Sequence, residues 1–249
     1  MADTGEKQSK LVPIMETFGN LFALNLLFIL CSVPVITFGA SLTALYSMTI
    51  KMVRKEEGGI CKGFFAAFKS NFKKATVIWL MLLVALIIIG GELVFAFSSE
   101  GVFTYVYIIL AAVEIIGLAF VLPFLFPLCA RYDNTIGNTI KNSLLLSVGN
   151  LGSWLKITLI WFMPVFLMAY YFEVLFLSIW YLWLLFIPAL LAYCASIILR
   201  KVFDRVTRVQ EQTEAEKEQK QQKEEEEKEA KRTKILDKMK RFENPEESE

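Results

Sequence analysis

The chain contains no histidine in 249 residues. That absence removes Ser-His-Asp triads, His-ligated metal centres and imidazole proton relays. Cysteine is sparse: Cys31, Cys61, Cys129 and Cys194 stand singly, without the C-x-x-C spacing of a zinc or redox site, and read as small core residues. No P-loop, G-x-S-x-G, G-x-G-x-x-G, H-E-x-x-H or EF-hand pattern occurs. The expectation is a protein that is not an enzyme, with no cofactor, no metal and no nucleic-acid partner. Met1 to Thr17 mixes both charge signs and shows no small-residue cleavage site after the first apolar run, so it does not read as a cleaved signal peptide.

What the chain has instead is apolar surface. Hydrophobic residues make up 55% and aromatics 14%, with a mean hydropathy of +0.50; about 45 to 50% apolar content is usual in soluble chains. Charge is displaced to the end: residues 201–249 hold 13 of the 26 Lys and Arg and 15 of the 25 Asp and Glu. A helix needs roughly 20 residues to span about 30 Å of hydrocarbon. Four runs meet that length or approach it: 75–97, 103–128, 157–172 and 174–199. The stretch 157–172 is short unless the polar residues 149–156 join it. The first apolar stretch, 18–50, is interrupted by Ser32-Val33-Pro34 and Gly39, predicting a helix to about Val33 and a second from about Gly39 to Arg54. That pair is a re-entrant hairpin, a spanning hairpin or one kinked crossing. The fold class is therefore all-α: a polytopic transmembrane helix bundle of four clear spans plus a Pro/Gly-broken N-terminal pair, with cytoplasmic amphipathic helices. Its parts are an N-terminal cytoplasmic tail (1–17), a transmembrane domain (18–205) and a charged cytoplasmic tail (206–249).

Orientation follows from short-loop Lys and Arg. Lys51, Arg54, Lys55, Lys62, Lys69, Lys73 and Lys74 crowd one loop, while the loop at 98–101 and the turn at Glu173 carry none. Residues 51–74, 129–156 and 200–249 are thus expected in the cytoplasm of a cell-membrane protein. Trp79, Trp154 and Trp161 fall near inner boundaries, as anchoring aromatics do. An internal repeat is visible between the two long inner loops: Lys62 and Asn71 match Lys141 and Asn150. After a three-residue insertion, Lys74, Thr76, Ile78 and Trp79 match Lys156, Thr158, Ile160 and Trp161.

Three sets of residues stand out as candidates. Phe64, Phe68 and Phe72 recur every fourth residue opposite Lys62, Lys69 and Lys73, a pattern that suits a structural elbow, a lipid interface or a partner surface. Arg131 and Asp133, just after Pro123 to Pro127, are expected to pair and fix the inner end of a span; Arg131 is a further interface candidate. Glu114 lies 11 residues into its span, about 16 Å deep and close to the bilayer centre. A carboxylate there calls for protonation or hydrogen bonding, with Asn20, Asn25 and the hydroxyls of Tyr170 or Tyr171 as expected partners. Beyond Gln210 the apolar stripe ends, and pairs such as Glu227 and Lys231 predict a solvated, fraying helix or a disordered tail.

The stretches Asn25-Leu-Leu-Phe-Ile-Leu-Cys-Ser-Val-Pro-Val-Ile-Thr-Phe-Gly39, Gly63-Phe-Phe-Ala-Ala-Phe-Lys-Ser-Asn-Phe-Lys-Lys74 and Arg131-Tyr-Asp-Asn134 followed by Lys141-Asn142 resemble the YesL-like family of bacterial integral membrane proteins. The resemblance covers about residues 15 to 205. It implies a multi-spanning cytoplasmic-membrane protein of a Gram-positive-type bacterium with a role beside carbohydrate uptake, and it brings no catalytic or binding residues with it. Two functions follow as expectations. One is an accessory or assembly partner of a membrane complex, such as a transporter, or a homo-oligomer within the lipid bilayer. The alternative is a small solute transporter or channel with a midplane site around Glu114.

Overall fold

A computed structural model describes residues 3–56, 58–170 and 177–243, and nearly all of them are helical. In chain order the elements are α1 (Asp3–Ser32), a 3-10 turn (Val35–Thr37), α2 (Phe38–Arg54), α3 (Ile60–Ser98), α4 (Val102–Arg131), α5 (Ile136–Gly149), α6 (Leu151–Tyr170) and α7 (Leu177–Glu243). This is the all-α polytopic bundle that the apolar runs predict, and among the described residues there is no strand. Met15–Ser32, Val35–Arg54, Ile60–Ser98, Val102–Arg131 and Phe186–Glu229 are each long and apolar enough to cross a bilayer; α5 with α6 as far as Pro164 passes as a pair bent by 105°. The chain is a multi-pass membrane protein. Tyr171 and the turn at Glu173 lie outside the described residues.

Two compact units divide the chain, Met1–Val202 and Phe203–Glu249. In the second, the described backbone is helical to Glu243 and the side chains of 208–229 are exposed. Lys231 reaches Glu227 at 2.7 Å, one of the expected helix-spaced pairs. A helix is thus what forms where composition alone left helix and disorder open.

The first unit is organised by its helix breaks. Pro34 lacks an N–H and forces Val33 out of the helical region, so α1 stops at Ser32 and its last carbonyls lose their helical donors. Side chains bond one of these carbonyls and others around the break. Thr37 Oγ1 donates to the Cys31 carbonyl at 2.6 Å and to the Pro34 carbonyl at 2.8 Å. Ser41 Oγ donates to the Phe28 carbonyl at 2.9 Å, and the Trp79 indole donates to the Val35 carbonyl at 2.7 Å. These bonds fold α2 back against α1.

α2 then runs antiparallel to the first half of α3. At one end a Cβ on Gly39 would stand 2.6 Å from the Ala75 carbonyl oxygen and from Trp79 Cβ; at the other, Gly63 lies under the Met48 thioether. Only glycine permits the first approach, because backbone stands in the way. Between these ends α2 buries small or hydroxylated residues beside Leu45, Tyr46 and Ile50. Ser41, Thr43 and Thr49 are fully buried, and Thr43 and Thr49 donate to the Gly39 and Leu45 carbonyls of their own helix at 2.8 and 3.0 Å. Thr49 also meets Ser196 of α7 at 2.9 Å. Hydroxyls that serve their own backbone can be buried without stranding a donor.

α4 lies along the other half of α3, from the Phe95 and Tyr107 rings, 5.8 Å apart, to Lys74 Nζ, which donates to the Tyr132 and Asn134 carbonyls at 3.1 and 3.3 Å. The tip of the α1–α2 hairpin is held at Trp79, about 28 Å along α3 from Ser98 at 1.5 Å per residue. Even for a helix tilted by 40° the offset along the membrane normal is about 22 Å. The hairpin tip and the α3–α4 turn therefore end at different depths.

Pro123 leaves the Ala119 carbonyl without its helical donor, and the Trp154 indole of α6 takes that place at 2.9 Å. Trp154 also stacks on Phe120 at 4.7 Å, and Ser147 of α5 donates to the Phe120 carbonyl. α5 forms where a cytoplasmic amphipathic helix is expected: its first half exposes Asn138 and Lys141, and its second half turns hydroxyls inward and apolar residues outward. Thr139, Ser143 and Ser147 are fully buried, whereas Leu144, Leu145 and Val148 are exposed. Two of its hydroxyls are satisfied within the helix, Thr139 on the Thr135 carbonyl and Ser143 on the Thr139 carbonyl. The outward face of that second half suits lipid. α6 starts at Leu151, so most of the polar stretch 149–156 does lengthen the short apolar run that follows it.

Candidate functional site

Glu114 is half-buried on the wall of a groove of about 390 Å³ between α3, α4 and α5, with Ile88, Gly117, Leu125, Ile140 and Leu144 among its neighbours. The two asparagines expected to partner it are elsewhere. Asn25 is fully buried, and its Oδ1 accepts from the Ala189 N–H at 3.0 Å, just past Pro188, where α7 loses regular pairing. Asn20 is half-buried on α1, and Tyr170 is exposed at the end of α6. Because α1 does not contribute to the groove wall, the structure gathers neither asparagine with Glu114. Asn25 completes a broken helix instead of serving a carboxyl site. A second intramembrane carboxyl, Glu92, has its Oε2 buried without a hydrogen-bond partner.

A separate cavity of about 250 Å³ lies between α2, α3, α4 and α6, lined by Phe38, Tyr46, Trp79, Phe126, Ile157 and Trp161 among others. Its two tryptophans are the matched pair of the internal repeat, and both donate towards the N-terminal hairpin: Trp79 to the Val35 carbonyl, Trp161 to the Tyr46 hydroxyl at 2.8 Å. The matched threonines agree as well, since Thr76 Oγ1 and Thr158 Oγ1 are both buried without a partner. Asn71 and Asn150 each bond the carbonyl four residues back, at 3.1 and 3.2 Å. The repeat diverges where α3 continues straight and the second copy bends after Asn150, which is where the three inserted residues fall. Sequence reasoning missed the cavity; the paired tryptophans were the signal that pointed to it.

The α3 elbow divides its candidates. Phe64 is fully buried, Phe72 is 41% exposed and Phe68 lies between them, the rings laddering at 6.3 and 5.5 Å. The ladder leads from core to surface, so Phe64 is not available to a partner, whereas Phe72, Lys69 and Lys73 are. Exposed Phe65 adds to that surface. Asp133 goes to Lys74 at 3.9 Å, not to Arg131, which remains exposed. Among the described residues no cluster of His, Cys, Asp and Glu is placed to hold a metal ion.

Residues 21–92 match a family model described as "Protein of unknown function, DUF624". The matched segment runs from the middle of α1 to Glu92 of α3, and so takes in Asn25, the Pro34 break, the Gly39 contact and Trp79. No curated protein matches the chain, and no solved structure does.

Proposed function

We propose that this is a YesL-like protein of the bacterial cytoplasmic membrane, acting as an accessory or assembly partner of a membrane complex, with carbohydrate uptake as its setting. The observation that carries this reading is the contrast between its interior and its inner surface. Both cavities are lined almost wholly by apolar side chains, which would leave a polyhydroxylated solute or a hydrated ion without the hydrogen bonds it gives up on entry. Exposed Phe65 and Phe72 at the α3 elbow, with Arg131 beside the next span, are of the residue types enriched at protein interfaces, and Lys69 and Lys73 between them add positive charge. Lysine-reactive crosslinking in native membranes, followed by purification and mass spectrometry, is expected to return one specific membrane complex with links at Lys62, Lys69 or Lys73. A homo-oligomer alone with a bound solute would overturn the reading.

One observation favours the second reading, a transporter or channel: a carboxyl on the wall of the larger groove, Glu114. In both readings the Lys/Arg distribution supports a cytoplasmic C-terminus. Single cysteines at Ser98 should react with an impermeant thiol reagent from outside, and at Ser70 and Thr213 should not; external labelling at Ser70 would refute that orientation.

A further inference from the structure

We infer that the groove between α3, α4 and α5 binds a lipophilic monocation, a quaternary ammonium carrying an apolar arm, with its charge against Glu114. Binding of this kind requires neither assembly nor transport and goes beyond both readings. The groove follows the antiparallel seam of α3 and α4. Ile88 and Glu114 mark one end, Ile78 and Leu125 the other, about 15 Å away at 1.5 Å per residue. Ile140 and Leu144 of α5 wall the inner part, since α5 lies on α4 as far as Phe120, where Ser147 bonds. About 390 Å³ over that length leaves a cross-section of about 26 Å². A partner helix about 10 Å across, with a section of about 80 Å², is too wide for it; a single alkyl arm is not. Met81, Ile88 and Leu144 are 51%, 48% and 44% exposed, so the groove opens sideways to lipid.

Charge selects the occupant. Glu114 is the one charged residue on the wall, and among the described residues nothing hydrogen-bonds or pairs with it. Residues 75–130 and 157–199 contain no Lys or Arg, and Glu92, one turn along α3 from Ile88, is acidic as well. A carboxylate at this depth is costly without a counter-charge, and these spans supply none. Space for one lies beside it: Gly117, nearly a turn from Glu114, is on the groove wall, and a Cβ there would meet nothing within 4 Å. The apolar walls narrow the class further. A primary ammonium or a hydrated metal ion would surrender hydrogen bonds that one carboxylate cannot replace, whereas a quaternary ammonium has no N–H to strand. A phosphatidylcholine or phosphatidylethanolamine head would carry its phosphate towards the same carboxylate, where like charges repel.

The full chain in phosphatidylcholine vesicles, irradiated with a trimethylalkylammonium whose diazirine lies within a few carbons of the nitrogen, tests this by mass-spectrometric mapping. An unbound cation keeps its head among the lipid headgroups, so adducts on Ile88, Gly117 or Leu118, near the bilayer centre, report the bound one. They are expected in the unmodified chain, retained in Glu114→Asp and lowered about tenfold in Glu114→Gln. An uncharged probe with tert-butyl in place of trimethylammonium should label those residues alike with and without Glu114→Gln. Ammonium adducts confined to headgroup level, or unaffected by Glu114→Gln, would overturn the inference. Gly117→Leu keeps the carboxyl and fills the groove, which tests the site apart from any folding defect in Glu114→Gln; it should lower adducts on Ile88 and Leu118 about fivefold. Undiminished adducts there would place the cation outside the groove and overturn the assignment.

Discussion

α2 and its neighbour α3 answer to opposite rules. Of the α2 span residues 72% are buried, against 17% for α3 and for α4, yet α2 is the shorter and the richer in Ser, Thr, Gly and Ala. In water the most apolar helix would go to the centre. In lipid the surroundings are as apolar as leucine, so nothing drives a leucine-rich helix inward, and the centre goes to the helix that others can approach most closely. Gly39, Ala40, Ser41 and Ala44 make α2 that helix, and self-bonded hydroxyls make its burial affordable.

The sharpest way to break this contrast is to add one methyl group at matched glycines. Gly39→Ala places a Cβ against the α3 backbone and should lower stability by about 2 to 3 kcal/mol, read as a drop in Tm in detergent. Gly90→Ala, in the lipid-facing half of α3 where a Cβ meets nothing, should cost nothing and gain up to about 1 kcal/mol of helix propensity. Equal effects at the two sites would mean that α2 is not the centre.

Smaller effects follow where side chains serve broken helices. Asn25→Leu leaves the Ala189 N–H without its acceptor and should cost about 1 to 2 kcal/mol, with faster hydrogen exchange confined to the turn after Pro188. Unchanged exchange there would remove Asn25 from its role. Glu114, on a helix that mostly faces lipid, should matter less to folding. Glu114→Gln is expected to leave Tm unchanged and Glu114→Leu to cost about 0.6 kcal/mol. Loss of a deletion phenotype's rescue by folded Glu114→Gln would move the balance to the transport reading. Least of all should come from truncation after Val209, because the side chains from 210 to 229 are exposed; insertion and Tm should stay as they are, and unfolding of the bundle would show that the tail packs on it.

The features legible in the sequence were the local ones. Proline and its neighbours dictate where α1 ends, an uncharged run of 20 residues dictates a span, and fourfold phenylalanine spacing dictates a shared helix face; each depends on residues within a turn or two. The missed features depend on partners far along the chain. Nothing near Asn25 reveals that its acceptor is wanted at Ala189, and nothing near Glu114 reveals that α5 rather than α1 closes its groove. The inward face of α5 was not legible for a related reason: an amphipathic pattern tells that two faces differ, while the medium outside decides which one turns in. The duplicated Trp79 and Trp161 were visible, but only the fold showed that both copies converge on one helix.

α3 is a single rod of 39 residues, about 58 Å long at 1.5 Å per residue, and its closest backbone contact, at Gly39, falls near its middle. Such a rod is a lever with a fulcrum. A rotation of about 5° around Ala75 would swing Ser98 sideways by about 3 Å and carry Ile60, at the other end, the opposite way by about 2 Å. A load applied by anything that grips the first turns of α3 would thus be felt at the α3–α4 turn, with no change of shape in between.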